Sequence, residues 1–197
     1  MNGRYGMRPF TLSQAILTQA QAIRELGDDA RQWLRGKDTD QWSVPWRGPE
    51  GRDQRVQRDI ADGDTWITWD GDLAVATITV GDEVPLVAPG IPVWPPCALT
   101  EKAIYVHRVI VRRSYAGLGL GAALLDWATE FGLRTLGTPL LRIDVWTDNR
   151  ALHDYYLRQG FTFIEIRSAE DLPDYPSRAL FERRTVPVSR DALLIER

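Results

Sequence analysis

The sequence predicts an α/β fold in which helices flank a mixed central β-sheet. Three observations carry that expectation: an antiparallel hairpin at 65–80, a strand–glycine turn–helix unit at 103–131, and a strand–helix pair at 140–159 followed by two more strands. Parallel neighbours need a crossover helix and hairpin partners do not, so such a sheet is mixed. The chain has 197 residues, 44% hydrophobic and 26% charged, which suffices for one domain with a sizeable core. The expected organisation is a single domain, with variable helices over 1–64, a core over 65–185 and a C-terminal tail over 186–197.

Thr11 and Gln14 have capping-box spacing ahead of Leu12, Ile16, Ala20 and Ile23, which share one helical face. Gly27 is expected to interrupt that helix, and "DDARQWLRG" gives a second short one ending near Gly36. The stretch "DTDQWSVPWRGPEG" (38–51) reads as loop and carries Trp42 and Trp46; Val56 and Ile60 then mark a short amphipathic helix. "TWITWDGDLAVATITV" (65–80) folds as a hairpin around Asp70-Gly71, a pair suited to positive φ. Prolines at 85, 89, 92, 95 and 96 make the span from Val84 to Thr100 a long loop.

"AIYVHRVIV" (103–111) is a β-branched strand, and the helix after the glycine turn buries Leu120, Leu124, Ala128 and Phe131. In "LLRIDVW" (140–146), Leu141, Ile143 and Val145 share one face of a strand. Asn149 can cap a helix through Gln159, with Gly160 as its C′ stop. "FTFIEI" and "RALFERR" supply the last two strands.

The formal net charge of −3 gives nucleic acid no electrostatic footprint, which argues against it as a partner. Cys97 is the single cysteine, so neither an internal disulfide nor a cysteine metal cluster is expected. "MNGRYGMRPF" has no apolar leader, and no run approaches the roughly 18 apolar residues of a membrane span. A cytoplasmic protein with no membrane partner and no metal is the expectation; a homodimer stays open.

The turn Ala116-Gly117-Leu118-Gly119-Leu120-Gly121-Ala122 opens a helix. The first amides of a helix have no intrahelical acceptor, the dipole there favours negative charge, and glycine lets a ligand approach the bare backbone. The expected guest is a phosphate. A P-loop is excluded because no lysine follows the glycines. Gly117, Gly119 and Ala122 also fit a dinucleotide fingerprint with Asp144 as ribose acid. That NAD(P)-dependent oxidoreductase reading fits badly, since the turn lies past mid-chain and follows an antiparallel hairpin.

The block "VIVRRSYAGLGLGA" resembles motif A of the GNAT superfamily of N-acetyltransferases: a strand ending at Val111, then Q/R-x-x-G-x-G/A with Gly119 and Gly121, then a helix. Ala116 occupies the Q/R position, a departure that removes one side chain but no backbone amide. "NRALHDYYLRQGF" (149–161) resembles the family's motif B, with Asn149, Tyr156, Gly160 and Phe161 in place. The resemblance covers roughly 65–185 and implies a GNAT-like acyl-CoA N-acyltransferase fold, with acetyl-CoA as co-substrate and a small-molecule or peptide amine as acceptor. A non-catalytic acyl-CoA-binding module is the alternative from another class.

The resemblance further implies roles. The amide of Val109 would hold the oxyanion, and Ile110 and Val111 would line the pantetheine arm. Tyr156 is the candidate acid for the departing thiolate. By strand alternation Tyr105, His107, Val109 and Val111 share one face, and His107 is the candidate base, histidine being the side chain that titrates near neutrality. Glu101 acting through water is the competing base, while His153 reads as solvated and Tyr155 as structural. Asn149 can add a coenzyme contact to its capping. Arg112, Arg113 and Arg150 are candidates for the ribose 3′-phosphate. Trp42, Trp46, Trp94 and the acidic "AEDLPDY" (169–175) are candidate walls of the acceptor pocket, or alternatively core.

Overall fold

A computed structural model describes residues 9–43, 47–184 and 193–197. Its strands and helices run in chain order β1 Phe10–Gln14, α1 Ala20–Leu34, α2 Gly48–Ala61, β2 Thr65–Asp70, β3 Leu73–Gly81, β4 Leu86–Ala88 and β5 Ile91–Pro92. They continue β6 Ile104–Val111, α3 Leu120–Leu136, β7 Leu140–Val145, α4 Arg150–Arg158, β8 Thr162–Ile166, β9 Ala179–Arg184 and β10 Leu194–Glu196. Eight strands form one sheet in the order β10-β1-β2-β3-β6-β7-β9-β8. The pairs β1/β10 and β6/β7 are parallel and the others antiparallel, so the sheet is mixed as expected.

The N-terminal expectation fails in an instructive way. Thr11 to Gln14 extend against β2, with Leu12 opposite Thr68, and the Gln14 amide donates to Gly63 O at 2.6 Å instead of closing a capping box. The helix begins only at Ala20 and runs through Gly27 without a break. Gly27 carries no steric demand, since a Cβ there would meet no heavy atom within 4 Å. The proline span also holds more order than a loop: β4 and β5 form a small hairpin, and a 3-10 turn covers Pro96–Thr100. Residues 194–196, expected in a tail, pair alongside β1 as an edge strand.

The helices split into two layers. On one face α3 and α4 cover the sheet through Leu124, Leu125, Ala128 and Tyr156, joined by Phe161 between α4 and β8. Burying each such leucine stabilises the fold by about 1.5–3 kcal/mol relative to exposure. On the other face α1 and α2 pack Ile23, Leu26, Val56 and Ile60 against Ile67 and Ile110. Arg183, 4% exposed, ties β9 to α3 through Asp126 at 3.0 Å and Leu125 O at 2.7 Å. Gly119 at φ +81° opens α3 and Gly137 at φ +69° closes it, both in the left-handed region.

Candidate active site

Two backbone irregularities shape the site. First, β6 and β7 pair only at Ile104↔Leu141 and Tyr105↔Arg142, after which each strand continues without the other. Second, β6 bulges: its register with β3 steps from Thr79↔His107 to Thr77↔Ile110, so Arg108 and Val109 together oppose Ile78. Arg108 takes the required kink at φ +49°. The parted strands border a cleft of about 540 Å³, lined among others by His107, Val109, Asp144, Trp146, Tyr156 and Tyr175.

The bulge corrects the expected alternation. Val109 and Val111 pack with the α3/α4 layer, whereas Tyr105 belongs to the core on the opposite face. His107 lies on that opposite side, beside Asp144, and not in one row with Val109 and Val111. Ile110 is 4% exposed within the α1/α2 core, so its side chain belongs to that layer.

Ala116, Gly117, Leu118 and Gly119 lie on the surface at the mouth of α3. The side chain of Leu120 is buried with Phe10 and Val75, so any contact it offers a ligand is through its backbone. Gly121 and Ala122 are half-buried, and a Cβ at Gly121 would fall 2.5 Å from the Tyr155 hydroxyl. The helix's own bonds start with Ala123 N to Gly119 O at 3.0 Å. The amides of Leu120, Gly121 and Ala122 therefore precede any intrahelical acceptor.

Tyr156 is buried in the lining of the cleft, its ring edge-on to Phe161 at 5.4 Å. Burial, then the neighbouring Tyr155 and Asp144, push its phenol well above the ordinary value, so it stays protonated at neutral pH. Asn149 caps α4 by accepting from Leu152 N at 2.9 Å, and its amide donates to Gln41. Thr39 and Asp40 dock beside it on Asp148 at 2.8 and 2.9 Å, an attachment that no local sequence pattern announces.

Other expectations are corrected. His153 is buried and bonds Trp146 O at 2.9 Å, so it is not solvated. Glu101 pairs with Arg184 ahead of β6 and away from the cleft. Trp94 is fully buried in the core, with its ring 6.2 Å from that of Tyr105. Trp42 does line the cleft, and Trp46 lies outside the described residues. Of 169–175 only Tyr175 reaches the cleft, whose acid comes instead from Asp59, Asp62, Asp64 and Glu83 with Asp144. Arg112 donates to Ala74 O at 2.9 Å and Arg113 stacks 3.9 Å over Trp33, while Arg150 is exposed.

Asp144 is not placed as a ribose acid: one oxygen accepts from the Tyr175 hydroxyl at 2.6 Å and the other sits 3.6 Å from His107 Nδ1. Among the described residues no group of three or more His, Cys, Asp or Glu is placed to hold a metal, and no helix is long and apolar enough to cross a membrane.

Comparison with known proteins agrees with this architecture. Residues 28–161 match the model of the Acetyltransferase (GNAT) family. The chain is 31% identical over 159 residues to the uncharacterized N-acetyltransferase YesJ of Bacillus subtilis (strain 168), covering 79% of this chain and 83% of that one. In three dimensions it is similar to a GNAT family acetyltransferase from Listeria monocytogenes 4b F2365, with a TM-score of 0.69 at 21% identity over 89% and 95% of the two chains. It is also similar to the PaiA N-acetyltransferase from Thermoplasma acidophilum, solved in complex with coenzyme A, with a TM-score of 0.63 at 12% identity over 89% and 99%. At such identities the structural likeness establishes the fold.

Proposed function

The chain belongs to the GNAT acetyltransferase family, and from that membership we propose that it moves the acetyl group of acetyl-CoA directly onto an amine held in the cleft between β6 and β7. The observation that carries this reading is the parting of those two strands beyond Tyr105↔Arg142, with His107, Val109 and Tyr156 on the walls of one cavity.

The residues at the glycine turn fit the pyrophosphate of the coenzyme. A Cβ at Gly117 would meet nothing within 4 Å, and one at Gly119 only Leu193 at 3.9 Å, so the backbone there is open to a ligand. The unpaired amides of Leu120, Gly121 and Ala122 supply donors at the positive end of α3. With Arg112 turned to β3 and Arg113 on Trp33, these amides carry the anion in place of the side chain missing at Ala116.

In this scheme His107 takes a proton from the acceptor ammonium, the freed amine attacks the thioester carbonyl, and the Val109 amide at the bulge donates to the oxyanion. The C–N bond forms, the C–S bond breaks, Tyr156 donates its proton towards the departing sulfur, and the second proton shed by the new amide nitrogen restores the phenol, so that one proton in all is left on His107. Burial that keeps the phenol protonated also disfavours a free thiolate in the same place, so the transfer stays matched.

A thermal-shift comparison with acetyl-CoA, coenzyme A and NADPH tests the reading. Ligand at about 100 times its Kd stabilises the native state by roughly 2.7 kcal/mol. Stabilisation by the two coenzyme A species, followed by amine-dependent thiol release, is expected. Stabilisation by NADPH alone would overturn it.

A further inference from the structure

We propose that Asp144 is a positioning residue that fixes His107 in the Nδ1–H tautomer, with the Tyr175 hydroxyl deciding which carboxylate oxygen does so. The inference rests on the reading of His107 as the base. Asp144 and His107 come from β7 and β6, each two residues beyond the last paired position Tyr105↔Arg142, so the open strands leave their side chains side by side. Asp144 Oδ1 lies 3.6 Å from His107 Nδ1, about half an ångström longer than a hydrogen bond, a gap typical of sites that tighten when substrate binds. That oxygen is buried and has no hydrogen-bond partner, and its side chain is only 5% exposed. A buried carboxylate oxygen without a donor is costly, and the imidazole N–H is the donor within reach. The His107 side chain, by contrast, is 33% exposed towards the cleft.

Tyr175 completes the arrangement. Its hydroxyl donates to Asp144 Oδ2 at 2.6 Å, and burial with the adjacent carboxylate keeps the phenol protonated and therefore a donor. With Oδ2 so engaged, Oδ1 faces Nδ1–H, and the lone pair of Nε2 points to the cleft to receive the ammonium proton. No proton passes to Asp144: the imidazolium formed keeps Nδ1–H, directed at Oδ1, and gains Nε2–H. Among the described residues, charged or titratable groups lining the cleft with this pair include Tyr156 from α4, Arg108 from β6, and Arg55, Arg58 and Asp59 from α2; Asp59 binds Arg108 at 2.8 Å.

Asp144→Asn makes the test sharp. The Tyr175 hydroxyl still donates to the amide oxygen, which turns the amide NH₂ towards Nδ1. That donor favours the Nε2–H tautomer, whose cleft-facing nitrogen holds a proton and cannot accept one.

The experiment reads the ¹⁵N shifts of the imidazoles in the neutral range; the chain has two histidines, so His107→Ala assigns them. The wild type should show His107 as Nδ1–H and Asp144→Asn should show it as Nε2–H, with coenzyme A binding unchanged. Thiol release from acetyl-CoA is followed with whichever of butylamine, 1,4-diaminobutane and lysine amide the wild type uses best. Asp144→Asn should lower kcat about 10²-fold with little change in KM, and adding it to His107→Ala should cost nothing more. A wild-type Nε2–H tautomer, or additive losses in the double variant, would overturn the role of Asp144 while leaving the base intact. Full turnover by His107→Ala would instead remove the base reading itself.

Discussion

Gly121→Ala offers the strictest test of how α3 meets α4. The added Cβ would stand 2.5 Å from the Tyr155 hydroxyl, and ordinary contact begins at 3.4 Å, so the oxygen must retreat by about 0.9 Å. Tyr155 cannot swing freely, because its ring packs at 5.4 Å against that of Tyr156. Overpacking of this kind costs about 1–3 kcal/mol, against which alanine returns up to ~1 kcal/mol of helix propensity. The expected net destabilisation is about 1–2 kcal/mol, or roughly 2–8 °C in Tm for a chain of this size. The atom behind the hydroxyl, Tyr155 Cζ, is already at an ordinary 3.6 Å. In a Tyr155→Phe background the clash is gone, and Gly121→Ala should become neutral or stabilising by up to ~1 kcal/mol. Urea unfolding of the four proteins in this cycle, with m-values checked for constancy, gives the coupling directly. Equal costs of Gly121→Ala in both backgrounds, within about 0.5 kcal/mol, would refute the placement of Tyr155 against the first turn of α3.

Gly119→Val forces a β-branched residue to φ +81°; stability should fall by at least ~1–2 kcal/mol, and coenzyme A affinity by calorimetry at least tenfold. Tyr156→Phe should lower kcat by roughly 10²-fold while the thermal shift with acetyl-CoA persists. The raised phenol also predicts that wild-type kcat shows no alkaline loss through Tyr156 below pH 10. The Asp64 carboxyl is pushed from 3.8 up to about 6 by burial and by Asp59, Asp62, Asp82 and Glu83. Its favourable contribution is complete below pH ~4 and is lost as pH rises through about 6. Asp64→Asn should therefore be more stable than wild type by ~1 kcal/mol at pH 8, the figure being discounted for solvent screening. That gain should vanish in urea titrations at pH 4.

Much of the site was legible in the chain because it is built from local rules. A β-branched run, glycines free to take positive φ, and an amphipathic run fix strand, turn and helix within 103–131, and Asn149 with Gly160 brackets α4 by capping chemistry alone. Where several segments compete for one stretch, local rules misled. The apolar spacing of Leu12, Ile16, Ala20 and Ile23 suits a helix, but pairing with β2 and β10 satisfies the backbone of Phe10–Gln14 as a strand. Nothing local marks the bulge at Arg108 and Val109, which turns Val109 and Val111 away from the face of His107, because a bulge exists only relative to the partner strand.

The sequence by itself thus determined the strand–turn–helix that presents its amides, the capped helix that carries Tyr156, and the family those two blocks resemble. Tertiary structure alone decided that β6 and β7 part beyond Tyr105↔Arg142, that His153 is a core residue, and that Asp144, Tyr175 and His107 meet. Those three stand 37, 31 and 68 positions apart in pairs. Periodicity and capping act over a few residues, whereas a contact between β6, β7 and the loop after β8 exists only once the sheet has closed around them.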